Sequence, residues 1–298
     1  MVELKDISLA FAGARKKSIA ALTQVNAEFP EGEFSVIIGP SGCGKTSLIR
    51  IMAGLQKPSG GQLLIKGLPI LIGKNKTAVI FQDYGLLPWK TVRANAELPL
   101  RLNKVSGASN QRVDCFAKGS YPALQGDKKG MNPETNTLPK QHTPSLQGGV
   151  VDLLLSKFGL LDFAKSYPHR LSGGMKQRLA IVRSLVMEPE LLLMDEPFSS
   201  LDNITREDAQ DFFLSIRQEL RLTIVMITHS IEEAVYLADT VFVMAGRNPG
   251  TIKEKMNISR EGESHRQFRE TSRFHEYCTS LRKLLRDFSE DSGSGAEE

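Results

Sequence analysis

The residues best suited to chemistry lie in the segment Gly39-Pro-Ser-Gly-Cys-Gly-Lys-Thr46. The apolar run Phe34–Ile38 predicts a strand before it, and the spacing of apolar residues from Lys45 to Leu55 predicts a helix after it. The segment matches the pattern G-x-x-x-x-G-K-[ST] in this context, where glycines let backbone amides turn inward around a phosphate at a helix N-terminus. The sequence therefore predicts a phosphate-binding loop. A plain glycine-rich turn beside an exposed lysine is the alternative.

The lysine and the threonine of this loop carry the groups that phosphate and metal binding require. Lys45 is predicted to reach the β- and γ-phosphate oxygens, which also gives it a catalytic role, and Thr46 supplies a hydroxyl to Mg²⁺. Cys43 is interpreted as a small spacer and not as a nucleophile. The nucleotide-binding residues predicted here are Gly39, Pro40, Ser41, Gly42, Cys43, Gly44, Lys45, Thr46 and Ser47.

A second pattern places two adjacent carboxylates after an apolar run, in Leu191-Leu-Leu-Met-Asp-Glu196. Ligands of open α/β sheets bind at the carboxyl ends of buried strands, which is where this run delivers both acids. Asp195 is predicted to hold Mg²⁺, directly or through water. Glu196 is placed to polarise an attacking water as a general base. Taken alone, the motif leaves a strand that ends in a polar turn at Pro197 as the alternative.

Short apolar runs alternate with helical stretches along much of the chain, which is typical of a mostly parallel sheet flanked by helices. These runs are Thr77–Phe81, Glu190–Met194, Thr223–Thr228 and Thr240–Ala245. The middle of the chain differs, because it has helical spacing without a convincing strand at Val92–Leu102, Val150–Leu161 and Gly174–Met187. We predict a helical subdomain over about residues 89–187, inserted into an α/β core.

Two segments lack the apolar periodicity of a packed element. Residues 105–149 are rich in Gly, Ser, Asn, Gln, Lys and Pro, so we predict a long flexible insertion within the helical subdomain. Residues 253–298 are predicted to hold a helix over about 275–285 and an acidic disordered tail over 287–298. Residues 1–252 are predicted to form the main domain.

The overall composition excludes several classes of protein. The 298 residues are 41% hydrophobic and 24% charged, as in ordinary soluble domains, and the net charge of +4 is too small to imply a nucleic-acid partner. Apolar runs fall far short of the roughly 18 residues of a membrane span, and Met1–Ala10 lacks the features of a secretory signal, so a cytoplasmic protein is expected. Cys43, Cys115 and Cys278 are scattered and indicate neither a disulfide framework nor a zinc site.

A further segment, Leu171-Ser-Gly-Gly-Met-Lys-Gln-Arg178, resembles the signature motif of ABC transporter ATPases. The resemblance continues in family order through Gln82 (the Q-loop), Ser200-Leu-Asp202 (the D-loop) and Thr228-His229 (the switch histidine). It implies a P-loop, RecA-like α/β core with a mostly parallel sheet, an N-terminal antiparallel β part and the inserted helical subdomain. It also implies that ATP and Mg²⁺ are bound and that ATP is hydrolysed.

The resemblance also assigns roles to residues outside the first loop. Two cassettes pack head to tail, so that Ser172, Gly173, Gly174 and the D-loop residue Asp202 of one copy face the ATP held by the other. His229 contacts the γ-phosphate and acts with Glu196 on the attacking water, while Gln82 binds the metal and senses the γ-phosphate. Phe11 stacks on adenine in the family, although a core position is an equal alternative here.

One stretch points to a branch of the family. The run from Asp83 to Val92, with Asn95 after it, resembles the cassettes of nitrate, taurine and aliphatic-sulfonate importers. This implies a subunit at the cytoplasmic face of the inner membrane, bound to permease subunits and served indirectly by a secreted or periplasmic substrate-binding protein. Trp89 would lie on the permease-docking surface, with a core tryptophan as the alternative. A soluble ABC ATPase acting on nucleic acid or ribosomes is the alternative function, but the single phosphate-binding loop, the single signature motif and the lack of sustained heptads disfavour it.

Overall fold

The computed structural model describes residues 1–12, 18–69, 77–105, 149–220, 222–247 and 249–291. The chain forms two compact units, of which the first joins Met1–Gly85 to Glu188–Glu298 and the second is Leu86–Met187. Most of the predicted insertion 105–149, Cys115 and the end of the predicted tail lie outside the described residues. Within the described ranges, no helix is long and apolar enough to span a membrane.

The elements alternate between strands and helices over much of the first unit. The strands are β1 Val2–Ala12, β2 Ser18–Phe29, β3 Phe34–Ile38, β4 Gly60–Ile65, β5 Leu68–Pro69, β6 Thr77–Ile80, β7 Leu191–Asp195, β8 Thr223–Thr228, β9 Thr240–Ala245 and β10 Thr251–Asn257. The helices are α1 Lys45–Met52, α2 Val92–Ala96, α3 Leu98–Val105, α4 Gly149–Lys157, α5 Gly173–Leu185, α6 Asn203–Leu220, α7 Ile231–Leu237, α8 His265–Arg269 and α9 Ser272–Asp291.

The strands of the first unit form two sheets. One is antiparallel with the order β2-β1-β4-β5, and the other has the order β10-β9-β3-β8-β7-β6. In the second sheet the neighbours from β9 to β6 are parallel, and β10 is an antiparallel edge strand. Every residue of β3, β8 and β9 is buried, as expected where both faces of a parallel sheet are covered. This is the mixed, mostly parallel architecture that the sequence predicts.

The register of the parallel strands places their carboxyl ends side by side. Ile38 pairs with Thr228, and Asp195 pairs with Ile227. Helix α1 follows β3 and packs its apolar face into the cluster that also contains residues of both sheets, including Val25, Leu193 and Val225. The loops after β3, β7 and β8 therefore open at one edge of the sheet.

The second unit is helical, but one predicted helix is interrupted. The apolar spacing predicts a continuous helix over Val92–Leu102, whereas α2 ends at Ala96 and α3 begins at Leu98. Pro99 accounts for this break, because proline has no N–H to donate to the carbonyl of Asn95 in the preceding turn and its ring crowds that carbonyl.

The C-terminal helix is longer than the sequence suggests. Helix α9 continues to Asp291, so the first residues of the predicted disordered tail are helical. An apolar face formed by Phe274, Cys278, Leu281 and Phe288 continues through this stretch at helical spacing, which explains why the acidic residues do not end the helix.

Candidate functional site

The loop between β3 and α1 has a backbone conformation that requires glycine at two positions. Gly44 precedes α1 with φ 95°, and a Cβ at this position would lie 2.5 Å from Leu22 Cδ2. A Cβ on Gly39 would lie 2.2 Å from the carbonyl oxygen of Met244. Only glycine fits these two positions. The first turn of α1 contains no acidic residue, so the positive end of the helix is not neutralised locally.

Lys45 lies almost fully buried inside this loop. Its ammonium donates hydrogen bonds to the carbonyl oxygens of Gly39 (2.7 Å) and Pro40 (2.9 Å). Both acceptors are neutral, so the charge of this cation is held in place without being cancelled. A buried cation beside an unneutralised helix N-terminus favours an anionic ligand.

The predicted carboxylates lie at the end of β7, which is separated from β3 by β8. Thr46, the second residue of α1, lies close enough to Asp195 to lower the pKa of its carboxyl. Burial, together with the adjacent Glu196, raises the pKa of Asp195, while Thr46, Arg50 and Lys45 act in the opposite direction. An acid in this environment gains from a nearby cation, because the cation offsets both the lost hydration and the like charge.

Glu196 has an unusual backbone conformation for a non-glycine residue, with φ 47°. Its N–H donates to Ile227 O (3.0 Å), and its carbonyl accepts from the Ser199 hydroxyl (2.9 Å). This geometry brings Glu196 Oε2 to 3.2 Å from Nδ1 of His229. The strained turn therefore directs a carboxylate at an imidazole from the neighbouring strand end.

The Q-loop and D-loop residues lie in the same unit. Gln82 is exposed and follows β6. Two residues later, the Tyr84 hydroxyl is hydrogen-bonded to Ser200 Oγ at 2.8 Å. Asp202 precedes α6 and accepts a hydrogen bond from Thr205 N (3.0 Å), an interaction that lowers the pKa of this carboxyl. In this structure Asp202 therefore stabilises the first turn of α6.

Phe11 and Trp89, which the sequence left as either binding or core residues, are both exposed. Phe11 is 45% exposed and pairs across β1 and β2 with Ile19, and Trp89 is 71% exposed. The alternative that either is a core residue is therefore wrong. Trp89 lies in a loop that is held by the buried side chain of Asn95. This side chain accepts a hydrogen bond from Leu87 N (2.8 Å) and donates one to Lys90 O (3.0 Å).

The signature residues lie in the helical unit. Ser172 precedes α5 and its hydroxyl accepts a hydrogen bond from Met175 N (3.3 Å). Gly173 and Gly174 form the first turn of α5, which contains no acidic residue. This helix start thus has the same hydroxyl, bare backbone and positive end that favour an anion in the first loop.

A group of hydrogen-bonded residues adjacent to His229 was not predicted from the sequence. The carboxylate of Glu233, which is only 6% exposed, is hydrogen-bonded to Thr228 and Gln210. The segment Ser230-Ile-Glu-Glu233 fits the capping-box pattern, and this could have indicated that Glu233 bonds near His229. The contribution of Gln210 from α6 could not have been found, because it depends on how distant elements pack.

The donor set fits a nucleotide with its magnesium. Among the described residues, no group of three or more His, Cys, Asp and Glu side chains could hold a metal ion. Mg²⁺ in phosphate-binding sites takes one or two protein oxygens and completes its shell with phosphate and water. The neighbouring side chains of Thr46 and Asp195 are such a set, and the pKa of Asp195 is raised because burial and the adjacent Glu196 disfavour its charged form.

A glycine loop with a buried lysine at the end of β3, and an acid pair at the end of β7 in the same sheet, define a P-loop nucleoside triphosphatase. The family model described as ABC transporter matches residues 22–199. The chain belongs to this family, and the predicted family and fold class are confirmed. It is an ATP-binding cassette ATPase.

Individual relatives are similar over most of their length. The chain is 35% identical over 291 residues to the nitrate import ATP-binding protein NrtD of Synechocystis sp., covering 96% of this chain and 95% of that protein. It is 34% identical over 239 residues to the taurine import ATP-binding protein TauB of Yersinia pestis bv. Antiqua, covering 80% and 79%. Among solved structures, the dimeric ATP-binding cassette MJ0796 in a post-hydrolysis state with ADP and Pi is similar with TM-score 0.64 and 27% identity, covering 87% of this chain and 99% of that chain.

Proposed function

We propose that this chain is the ATP-binding and ATP-hydrolysing subunit of an ABC importer for a small solute. The observation that carries the hydrolytic part is the contact of Glu196 with His229, beside Asp195 and the loop that holds Lys45. The importer part is supported by relatives named for nitrate and taurine import, which align over most of the chain.

The residues at the strand ends have separate roles in ATP hydrolysis. Loop amides and Lys45 would bind the β- and γ-phosphates, and Thr46, Asp195 and Gln82 would hold Mg²⁺. Bound Mg²⁺ would neutralise charge on the phosphate oxygens. Glu196 accepts the proton of the attacking water as general base, with His229 holding the water and the γ-phosphate in line.

The partners follow from the same arrangement. A second copy would present Ser172, Gly173, Gly174 and Asp202 to the nucleotide, as the resemblance to ABC ATPases implies, and the start of α5 has the exposed backbone amides that favour an anion. The dimeric state of the MJ0796 cassette supports such a pairing. ATP bound between two copies would then stabilise the dimer.

A membrane permease is the other proposed partner. Trp89 is a large exposed aromatic residue on a loop fixed by Asn95, and such rigid aromatic anchors are common at the centre of protein interfaces. Phe11 is proposed to stack on adenine from its exposed position on β1. A peripheral location at the cytoplasmic face of the inner membrane, and an indirect link to a substrate-binding protein, complete the proposal.

The experiment is a MgATP hydrolysis assay with a binding control. Wild type should release phosphate, and Lys45→Ala should lose nucleotide affinity because the only side-chain cation of the loop is removed. The exposed Lys57→Ala is the matched control and should behave as wild type. Equal ATP affinity of Lys45→Ala and wild type would contradict the site assignment.

The transport part has its own test. A strain that lacks the gene should fail to grow with nitrate as sole nitrogen source or with taurine as sole sulfur source, and should recover with the wild-type gene but not with Lys45→Ala. Normal growth on both, together with ATPase activity stimulated by nucleic acid or ribosomes, would favour the soluble alternative.

A further inference from the structure

His229 carries an exposed imidazole on a backbone that is tied down on both sides. Its side chain is 65% exposed. The residues before and after it are linked directly, since Ser230 N donates to Thr228 Oγ1 at 3.1 Å. An exposed ring has little packing to define its position, so the backbone that carries it must be held from behind.

The group that holds this backbone is the buried carboxylate of Glu233. Glu233 Oε2 accepts from the Thr228 hydroxyl, and the Glu233 N–H donates to Ser230 Oγ at 3.2 Å. These bonds form a closed ring around His229, with Thr228 on one side and Ser230 on the other. The second carboxylate oxygen accepts from Gln210 Nε2 at 2.9 Å.

The bonding of Glu233 departs from what helix capping alone would require. In a capping box, the glutamate at the third helical position accepts from the backbone N–H of the capping residue, here Ser230. That N–H instead donates to Thr228 Oγ1, and the Glu233 carboxylate accepts from the hydroxyl of Thr228. Burial raises the pKa of Glu233, which means that placing a carboxylate here is unfavourable compared with leaving it in water.

Gln210 extends the link to the other catalytic group. It lies in α6, whose first turns include Arg206. Arg206 donates to the carbonyl oxygens of Phe198 (3.3 Å) and Leu201 (2.8 Å), in the turn that follows Glu196. The helix that anchors Glu233 thus also holds the segment after the proposed general base.

We propose that Glu233 is a positioning residue for ATP hydrolysis, which fixes the backbone of His229 relative to the segment that carries Glu196. This inference rests on the proposed function. Glu233 acts through Thr228 and Gln210 and does not touch the nucleotide, so its loss should lower the rate of the chemical step and leave ATP binding intact.

The test compares two replacements of Glu233 with a control one residue earlier. Glu233→Leu retains the volume and removes both hydrogen bonds, so kcat should fall by about tenfold while KM for ATP stays within about twofold. Glu233→Gln retains an oxygen for Thr228 and should recover most of this loss. Gln210 can adapt to it by turning its amide, because its Oε1 has no hydrogen-bond partner among the described residues. The exposed Glu232→Gln should match wild type.

Melting temperature and ATP affinity, measured on the same proteins, separate positioning from folding. Glu233→Leu leaves the buried Thr228 hydroxyl and Gln210 amide without their acceptor, so it should melt a few degrees lower than wild type, and kcat is compared at a temperature well below both transitions. Wild-type kcat in Glu233→Leu, or a rate loss accompanied by an equal loss of ATP affinity, would overturn the inference. In either case, ATP hydrolysis by the wild type that is lost in Lys45→Ala would still support the proposed function. An inactive wild type would overturn both.

Discussion

Two regions of the first unit differ in whether their charged side chains are paired with opposite charges. At the strand-end site, formed by the loops after β3, β7 and β8, Lys45 donates to carbonyl oxygens and the Cys43 sulfur, which are uncharged acceptors, and Asp195 lies next to Glu196. In the C-terminal segment, residues 258–291, arginines are paired with carboxylates. The paired arginines are Arg260, Arg266, Arg269, Arg273 and Arg282.

The difference shows which region is built for a ligand and which for the fold. Charges left uncompensated in a partly buried place make the empty protein less stable, and a bound anion with its cation relieves them. Charges that pair within the chain gain nothing from a ligand. Substitutions at the strand-end site should therefore change turnover, and substitutions at the C-terminal segment should change stability.

The largest expected effect is at Glu196. Glu196→Gln removes the proposed general base but keeps the side-chain shape, so kcat should fall by at least about 100-fold while ATP still binds. ATP should then trap a dimer, visible by size-exclusion chromatography. Glu261→Gln, at an exposed ion pair of the C-terminal segment, is the control and should keep the wild-type rate. Turnover of Glu196→Gln at the wild-type rate would show that another group is the base.

The next effect is on stability and concerns Asp239, which precedes the C-terminal segment in the chain and pairs with its Arg260. Its carboxylate accepts from Phe34 N and pairs with Arg217 and Arg260, which are only 13% and 11% exposed. Asp239→Asn leaves two nearby guanidinium groups without a counter-charge and should cost about 3 kcal/mol, or about 8 °C in melting temperature. Calorimetry measures the loss. The kcat of the folded fraction should stay within about twofold of wild type, and a larger fall would contradict the separation of the two regions.

A smaller effect of opposite sign is expected at Asp195. Because its pKa is raised in the folded protein, its ionised form is less favourable there than in the unfolded chain at neutral pH. Asp195→Asn should therefore raise the melting temperature of the nucleotide-free protein by about 2 °C. The same variant should lose Mg²⁺-dependent turnover. A lower melting temperature would show that the carboxylate stabilises the empty site.

The smallest effect is the acid sensitivity of the C-terminal segment. Burial lowers the pKa of His265 to about 4, from 6.5 for a free histidine. The unfolded chain takes up the proton first, so the contribution of His265 to stability is full above pH 6.5 and is lost as the pH falls towards 4. His265→Phe keeps the ring that packs on Tyr236 and should reduce the loss of melting temperature over this range by about 2 °C.

The exposed His275→Phe is the matched control for this measurement. It should show the same loss of melting temperature as wild type between pH 6.5 and 4. If both variants behave alike, the acid sensitivity does not arise from His265.

Patterns that need only contiguous residues could be predicted from the sequence. The strands Phe34–Ile38, Thr223–Thr228 and Thr240–Ala245 have the predicted bounds, because buried parallel strands are continuous apolar runs. The break before Pro99 and the extension of α9 to Asp291 were not predicted. Both depend on a local effect that outweighs hydrophobic spacing or composition.

The amino-acid sequence by itself determined the phosphate-binding loop, the acid pair and the signature segment, because each is a short motif whose chemistry depends on adjacent residues. Only the tertiary structure decided that His229 contacts Glu196, that Glu233 and Gln210 lie behind them, and that Trp89 is exposed. These contacts join residues far apart in the chain. They are set by strand order and by the packing of α6 and α7, which local patterns do not specify.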